Sequence, residues 1–404
     1  MSMPQTQTQG RPGPRPVSLH MALAMWTWTG SLGALPLAQN GSLTWMPKLA
    51  AEAARLTAAL QAADPQTLGQ AVSAEAAARA ATLVRAIEAY RTHPYHRDVT
   101  DFAPIARFGA AALRDYGGAA APALFVPSLV NRGYVLDLSR RRSMLRWLRG
   151  AGVHPYLLDW GDPGAAEKAF SIDDYVAGPL RAALAALCER HGGPVHLVGY
   201  CMGGNLALAA ALLYPQYVRS LALLATPWNF HAERGATAWL LETGGPIDQT
   251  VSALGELPVD LLQTFFASLD PLMASRKFRA FAALPPDSAA GEDFVALEDW
   301  LNDGVPLAGP VARTCFVDWY GRNLPGQGTW TVAGIRIDPA RLSCPSFVVL
   351  PDNDRIVPPG SARALADALP GPVVHAPSAG HIGMVVGRKA QSALWAPLQA
   401  WLAA

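Results

Sequence analysis

Pro194-Val-His-Leu-Val-Gly-Tyr-Cys201-Met-Gly-Gly-Asn-Leu-Ala-Leu-Ala-Ala-Ala-Leu-Leu213 divides into two unlike halves. Val195–Tyr200 is mostly apolar, β-prone and too short for a buried helix, so it reads as a strand. From Met202 strong helix formers follow one another until Pro215 stops them. Between the halves lies Gly199-Tyr-Cys-Met-Gly-Gly204, a G-x-C-x-G-G turn. This is the nucleophile-elbow layout with cysteine in the place of serine. So tight a strand-to-helix turn strains the backbone at its centre. Small residues two before and two after keep neighbouring side chains clear. The sulfur sits at a helix N-terminus, whose dipole favours a thiolate. The Met202 amide points the same way and is a candidate oxyanion donor. A buried structural cysteine in a glycine-rich turn is the plain alternative. The strand before, the helix after and the partners described below favour the nucleophile.

The chain has 404 residues and a formal net charge of +1. That length predicts one large domain with an insertion, or two modest domains. With 51% apolar residues there is enough material for a sizeable core. A balanced charge without a basic stripe argues against nucleic acid as a partner. Cys188, Cys201, Cys315 and Cys344 are far apart and form no C-x-x-C pair. Neither a metal site nor a disulfide framework is expected, and a reducing, cytoplasmic setting fits.

Residues 1–16, rich in Gln, Pro and Gly, read as a disordered tail. Residues 17–120 read as a helical N-terminal arm, with helices over 17–37, from Pro47 to about Ala63, and from Ser73 to about Tyr90. Leu19–Ala38 carries no charged side chain, but Gly30, Gly33 and Pro36 interrupt it. With Trp26 and Trp28 it suits a surface-seeking helix better than a membrane span or a secretory leader. The arm holds no recognisable arrangement of catalytic residue types, and packing or dimerisation is its expected role.

From Ala121 short apolar β-runs alternate with helical segments, the signature of a parallel sheet. The expected strands are Ala123–Pro127, Val153–Leu158, Val195–Tyr200, Ser220–Ala225, Ser346–Leu350 and Val373–His375. The predicted core is 121–226 with 343–404. Residues 227–342, helical, irregular and rich in Trp and Phe, read as an inserted cap over the C-terminal edge of the sheet, where active sites of such sheets lie. The aromatic residues Trp228, Phe230, Trp239, Phe265 and Phe266 are candidates for an apolar shield, or for ordinary cap core.

A thiol nucleophile needs a base, and the base an orienting group. On α/β-hydrolase sheets these follow the nucleophile in the order acid, then histidine, each on a loop after a strand. Pro351-Asp-Asn-Asp354-Arg-Ile-Val-Pro-Pro359 follows one late strand, and Pro377-Ser-Ala-Gly-His381-Ile-Gly383 follows the last. His381 is the expected base. Asp354 and Asp352 compete as its orienter, Asp352 being the commoner kind of turn residue. His93, His96 and His191 are expected at the surface, whereas His231, after the fourth expected strand, is placed to line the site. The loop after the first expected strand, Val126–Arg132, should supply a second oxyanion amide from Leu129 or Val130.

Taken together, these residues resemble the polyhydroxyalkanoate synthases, especially the short type that works with a separate activating subunit. Five segments carry the resemblance over about residues 121–402. They are Leu129-Val-Asn-Arg-Gly-Tyr-Val-Leu-Asp-Leu138, Tyr156-Leu-Leu-Asp-Trp-Gly-Asp-Pro163, the elbow, Asp354-Arg-Ile-Val-Pro-Pro359, and Ala379-Gly-His-Ile-Gly-Met-Val-Val-Gly387 leading to Lys389-Ala-Gln391. The resemblance implies an α/β-hydrolase fold with a mobile cap, and a homodimer. It implies a triad of Cys201, Asp354 and His381, and it strengthens Asp354 over Asp352. It implies polymerisation of (R)-3-hydroxyacyl-coenzyme A into polyester, with no cofactor beyond the coenzyme A of the substrate. An activating subunit and a polyester granule surface in the cytoplasm are the implied partners. One departure stands out: the family has histidine after the acid, and this chain has Arg355. Its guanidinium could pair with Asp354 or with a phosphate of coenzyme A. Arg355, Trp228 and His231 are the expected substrate-binding residues.

Two other functions compete. The elbow also looks like that of dienelactone hydrolases, so a thioesterase, lactonase or polyester depolymerase is the first. Those hydrolases are short and lack the Asn131–Leu138 and Asp159–Pro163 segments. A non-catalytic granule-associated homologue is the second; Arg355 permits it and the complete triad argues against it.

Overall fold

The computed structural model describes residues 11–232 and 244–404. Among them eight strands form one sheet. They are β1 (Pro104–Phe108), β2 (Ala111–Asp115), β3 (Pro122–Val126), β4 (His154–Asp159), β5 (Val195–Tyr200), β6 (Val218–Leu224), β7 (Ser346–Val349) and β8 (Val373–His375). Their order is β1-β2-β4-β3-β5-β6-β7-β8. β2 runs antiparallel to both β1 and β4, and every other pair is parallel. Phe125 pairs with Val198, Val198 with Ala222, and Leu223 with Val348. Every residue of β5 is buried, as are all of β6 but Arg219. That is why the central strands are near-continuous apolar runs: helices cover both faces.

The six expected strands are present to within about two residues at each end. The sheet starts earlier than the sequence reading drew it, because β1 and β2 lie within the stretch assigned to the N-terminal arm. β1 is an edge strand whose burial alternates between partial and none, so its five residues show no continuous apolar run. Gly109, at φ +64, turns the chain between the two strands.

The helix expected from Ile172 to Arg190 is there, with a change of pitch. Ile172–Tyr175 is α-helical, Val176–Leu180 is a π-turn containing Pro179, and Arg181–His191 is α-helical again. Proline lacks the amide that the regular ladder needs, and a local π-turn absorbs the loss.

The described chain divides into two compact units. The larger runs His96–Leu269 and Asp303–Ala404 and contains the sheet. Within it Val251, Leu262, Phe265, Val311, Phe316 and Trp330 from the insertion join the sheet's own hydrophobic cluster. The smaller unit takes in the described N-terminal residues through Tyr95 together with Asp270–Asn302. The insertion expected over 227–342 is therefore shared out, because helices Met273–Phe281 and Ala289–Asn302 belong with the N-terminal helices. Their apolar faces supply Phe278, Phe281 and Val295 to a core with Ala24, Trp28, Leu83, Ala86, Ile87 and Tyr90. The Tyr90 and Phe278 rings meet edge-on at 5.7 Å.

The expected disordered tail is corrected in part. Residues 1–10 lie outside the described residues, but 11–16 are tied down. Arg11 pairs with Asp299 at 2.8 Å, and the Arg15 amide donates to Asn302 Oδ1 at 2.8 Å. A charged fork that meets a half-buried carboxylate orders a stretch whose composition alone would not. His93, expected at the surface, is buried with Nε2 3.1 Å from the Pro286 carbonyl. The apolar stretch of the arm forms helix Val17–Gln39, in which Trp28 is buried and Trp26 is 80% exposed. Among the described residues no helix is long and apolar enough to cross a membrane.

Phe278 is fully buried between Tyr90 and Phe294. Phe278→Ala should destabilise the smaller unit by about 3–5 kcal/mol in denaturant unfolding followed by Trp fluorescence. A change within about 0.5 kcal/mol would contradict the assignment of Asp270–Asn302 to that core.

Candidate active site

β5 ends at Tyr200, and Cys201 turns the chain over. It stands at φ +56, ψ −131, and helix Met202–Leu213 starts at the next residue. Such a conformation is costly for a residue with a side chain and persists only where the surroundings enforce it. The Cys201 amide donates to the Leu224 carbonyl at 2.9 Å, and the Gly204 amide donates back to the Cys201 carbonyl at 2.9 Å. The three glycines of the motif are set by contact. A Cβ on Gly199 would meet the Gly204 backbone, on Gly203 the Val126 carbonyl oxygen, and on Gly204 the Thr226 side chain. The elbow thus stays narrow, leaving Cys201 half-buried at the start of a helix whose first ten residues are buried.

His381 follows β8 and Asp354 follows β7, and both are buried, at 6% and 4% exposure. His381 Nδ1 lies 2.6 Å from Asp354 Oδ2. The other carboxylate oxygen accepts from the Ile356 amide at 2.9 Å and the Val357 amide at 2.8 Å. Those amides lock the carboxylate, which in turn locks the imidazole. Burial alone would push the His381 pKa down. The charge of Cys201 and hydrogen bonds with Asp354 and Cys201 outweigh it, so the pKa is raised above the ordinary 6.5. The Tyr200 ring stacks on the imidazole at 5.2 Å, and its hydroxyl donates to the His381 carbonyl at 3.3 Å. Asp352 lies elsewhere: it is exposed, accepts from the Asn353 side chain at 2.7 Å, and its amide donates to the Pro377 carbonyl at 3.1 Å. That is a turn residue's role.

The loop after β3 faces the same elbow, since the Val126 carbonyl closes on Gly203. In this loop the Val130 amide donates to Ser128 Oγ at 3.1 Å. Trp160 Nε1 donates to the Pro127 carbonyl at 2.9 Å, and Arg132 bridges Asp162 at 2.9 Å and Asp303 at 2.8 Å. The Tyr156–Pro163 segment singled out in the sequence therefore braces this loop from outside, with Asp303 beside it.

The expected substrate-binding residues lie in different settings. Trp228 is buried, edge-on to Trp330 at 6.0 Å, with its amide donating to Ser361 Oγ at 3.2 Å. His231 Nε2 lies 2.9 Å from the Tyr320 carbonyl. Arg355 is exposed. Of the other insertion aromatics, Trp239 lies outside the described residues. Phe230 packs on Trp319 at 5.6 Å and Tyr320 at 5.0 Å, and Phe265 meets Phe266 at 5.4 Å, Phe316 at 4.9 Å and Tyr320 at 5.2 Å.

Sequence reasoning passed over Thr314–Gly321, a π-helical stretch beside the elbow. Its Cys315 Sγ is 4.0 Å from Met202 Sδ, and burial, followed by the charge of Cys201, pushes that thiol's pKa up. Aromatic density was the only sequence signal for this stretch.

Residues 135–387 match the family model described as alpha/beta hydrolase fold. The chain is 33% identical over 286 residues to the poly(3-hydroxyalkanoate) polymerase subunit PhaC of Allochromatium vinosum, covering 70% of this chain and 80% of that one. It is 32% identical over 294 residues to the subunit of the same name from Thiocystis violacea, covering 70% of this chain and 80% of the relative. For that of Synechocystis the figures are 32% over 293 residues, 70% and 77%.

With its folded pKa raised, the stabilisation linked to the His381 proton is complete below pH 6.5 and fades as the pH rises above it. Removing the carboxylate removes one cause of the rise. In Asp354→Asn the imidazole should release its proton at lower pH than in the unaltered protein, as read by nitrogen NMR of labelled histidine. An unchanged or higher titration point would contradict the role given to Asp354.

Proposed function

Because this chain belongs to the poly(3-hydroxyalkanoate) polymerase family, on the α/β-hydrolase fold, we propose that it polymerises (R)-3-hydroxyacyl-coenzyme A thioesters into polyester through an acyl group carried on Cys201. The observation that carries the proposal is the sulfur on a strained elbow beside a buried His381–Asp354 pair.

In the proposed cycle His381 takes the thiol proton, and the thiolate attacks the thioester carbonyl. The Met202 amide at the helix N-terminus receives the developing oxyanion, and a second amide comes from the loop after β3. Val130's amide is already engaged with Ser128 Oγ, which favours Leu129. One such donor is worth about 3 kcal/mol of barrier. Coenzyme A leaves as a thiolate and takes up the proton held by His381. The acyl group now rests on Cys201 as a thioester. His381, held by Asp354, then draws the proton from the 3-hydroxyl of another unit, whose oxygen attacks the acyl thioester on Cys201. The carbon–sulfur bond breaks, the Cys201 thiolate leaves and recovers the proton from His381, and the ester chain is one unit longer.

Cysteine suits this sequence. Exchange between two thioesters is nearly isoenergetic, so the acyl group stays reactive toward an alcohol, whereas an ester on serine would be a lower-energy trap. Water has to be kept away, because hydrolysis ends the chain. The aromatic wall of Phe230, Phe265, Phe316 and Tyr320 is suited to that exclusion. Arg355, exposed next to Asp354, carries a guanidinium fit for a phosphate of coenzyme A. The proposal uses no resident cofactor. It includes a homodimer, an activating subunit and a cytoplasmic place at the polyester surface.

The test is incubation with 3-hydroxybutyryl-coenzyme A, following free thiol and insoluble product. Thiol release with polyester is expected, and Cys201→Ala should abolish release. Release with only free hydroxy acid would mean a hydrolase, and release that persists in Cys201→Ala would mean the wrong nucleophile.

A further inference from the structure

Thr314–Gly321 is wound with i→i+5 hydrogen bonds, and at that pitch residues four and five apart lie on one face. Cys315, Trp319 and Tyr320 therefore line up. Cys315 identifies where the face points, because its sulfur meets Met202, the residue next to the nucleophile, at 4.0 Å. Tyr320 stands on that face with its ring fixed by Phe230 at 5.0 Å, Phe265 at 5.2 Å and Phe316 at 6.1 Å. Its carbonyl is taken by the His231 ring at 2.9 Å. Its hydroxyl has no hydrogen-bond partner among the described residues. The face that Cys315 marks thus carries two N–H or O–H donors without a partner among the described residues, the Tyr320 hydroxyl and the buried Trp319 Nε1. Burial and then the charges of Cys201, Cys315 and Asp354 push the Tyr320 pKa up, so the group keeps its proton and is available as a donor.

A 3-hydroxyacyl group carries one polar atom beyond its carbonyl. We propose that the Tyr320 hydroxyl donates a hydrogen bond to the 3-hydroxyl oxygen of the acyl unit held over Cys201, and so selects hydroxyacyl over unsubstituted acyl thioesters. The inference rests on the reading of the chain as a hydroxyacyl polymerase and deepens it. The two roles do not compete, since Tyr320 holds the 3-hydroxyl of the unit over Cys201 while His381 draws the proton from the 3-hydroxyl of the incoming unit. An unsubstituted acyl chain would leave the tyrosine hydroxyl enclosed and unpaired, and this penalty is the source of the discrimination.

Single-turnover release of coenzyme A from 3-hydroxybutyryl-coenzyme A and from butyryl-coenzyme A tests this directly. Tyr320→Phe keeps the ring and removes only the donor. It should lower the rate for the hydroxylated substrate about tenfold more than the rate for the other. Phe316→Leu thins the same wall without touching a polar atom and should lower both rates by the same factor. Equal loss on both substrates in Tyr320→Phe, or no loss on either, would overturn the role given to Tyr320 while leaving the polymerase reading intact. No release from 3-hydroxybutyryl-coenzyme A by the unaltered protein would overturn both.

Discussion

Cys201 holds its φ of +56 because everything around it is already committed. Behind it β5 is hydrogen-bonded on both sides, to β3 and β6. Ahead of it a helix is buried over its first ten residues. The strain of one such residue is of order 1–3 kcal/mol, small beside the burial of those two elements. Three glycines then permit what the strain demands, because a side chain at any of them would collide with backbone or with Thr226. Relaxing the elbow would mean parting strand from helix, so the sulfur is presented at the end of the sheet without rearrangement.

The partners of that sulfur are held by the same logic at one remove. Asp354 is fixed by two backbone amides, and His381 is fixed by Asp354 and by the Tyr200 ring. A buried imidazole would ordinarily lose its charge; here the neighbouring charge and hydrogen bonds reverse the balance. In the proposed reaction that matters twice, once when the thiol is deprotonated and once when an alcohol has to be activated. Both steps profit from a site walled by aromatic rings, where each hydrogen bond acts in a poorly screened setting.

Much of this arrangement was legible from local pattern. β5 and β8 were read to the residue, because turns bound short apolar runs on either side. His381 and Asp354 were readable as a pair because each sits on a loop after a strand, although choosing Asp354 over Asp352 took the family resemblance. Long-range effects were less legible. β1 and β2 join the sheet by edge pairing, which leaves a weak trace in five-residue runs. Helices Met273–Phe281 and Ala289–Asn302 lie far from the N-terminal helices in sequence, yet they share one core with them. Arg11 looked like part of a solvated tail until its carboxylate partner, 288 positions away, came into view. Tyr320 sits in an insertion whose π-pitch no residue announces. Arg355, flagged as a departure, proved exposed, while the expected binding residue Trp228 turned out to be packed against Trp330.

The central claim is that the elbow sulfur itself carries the acyl group. Brief reaction with 3-hydroxybutyryl-coenzyme A, acid quenching, proteolysis and mass spectrometry of the peptides measure this directly. The account predicts a hydroxybutyryl or longer oligomeric mass on the peptide that holds Cys201, lost on treatment with hydroxylamine. That mass on a different residue, or coenzyme A release with no acylated peptide at any quench time, would contradict it.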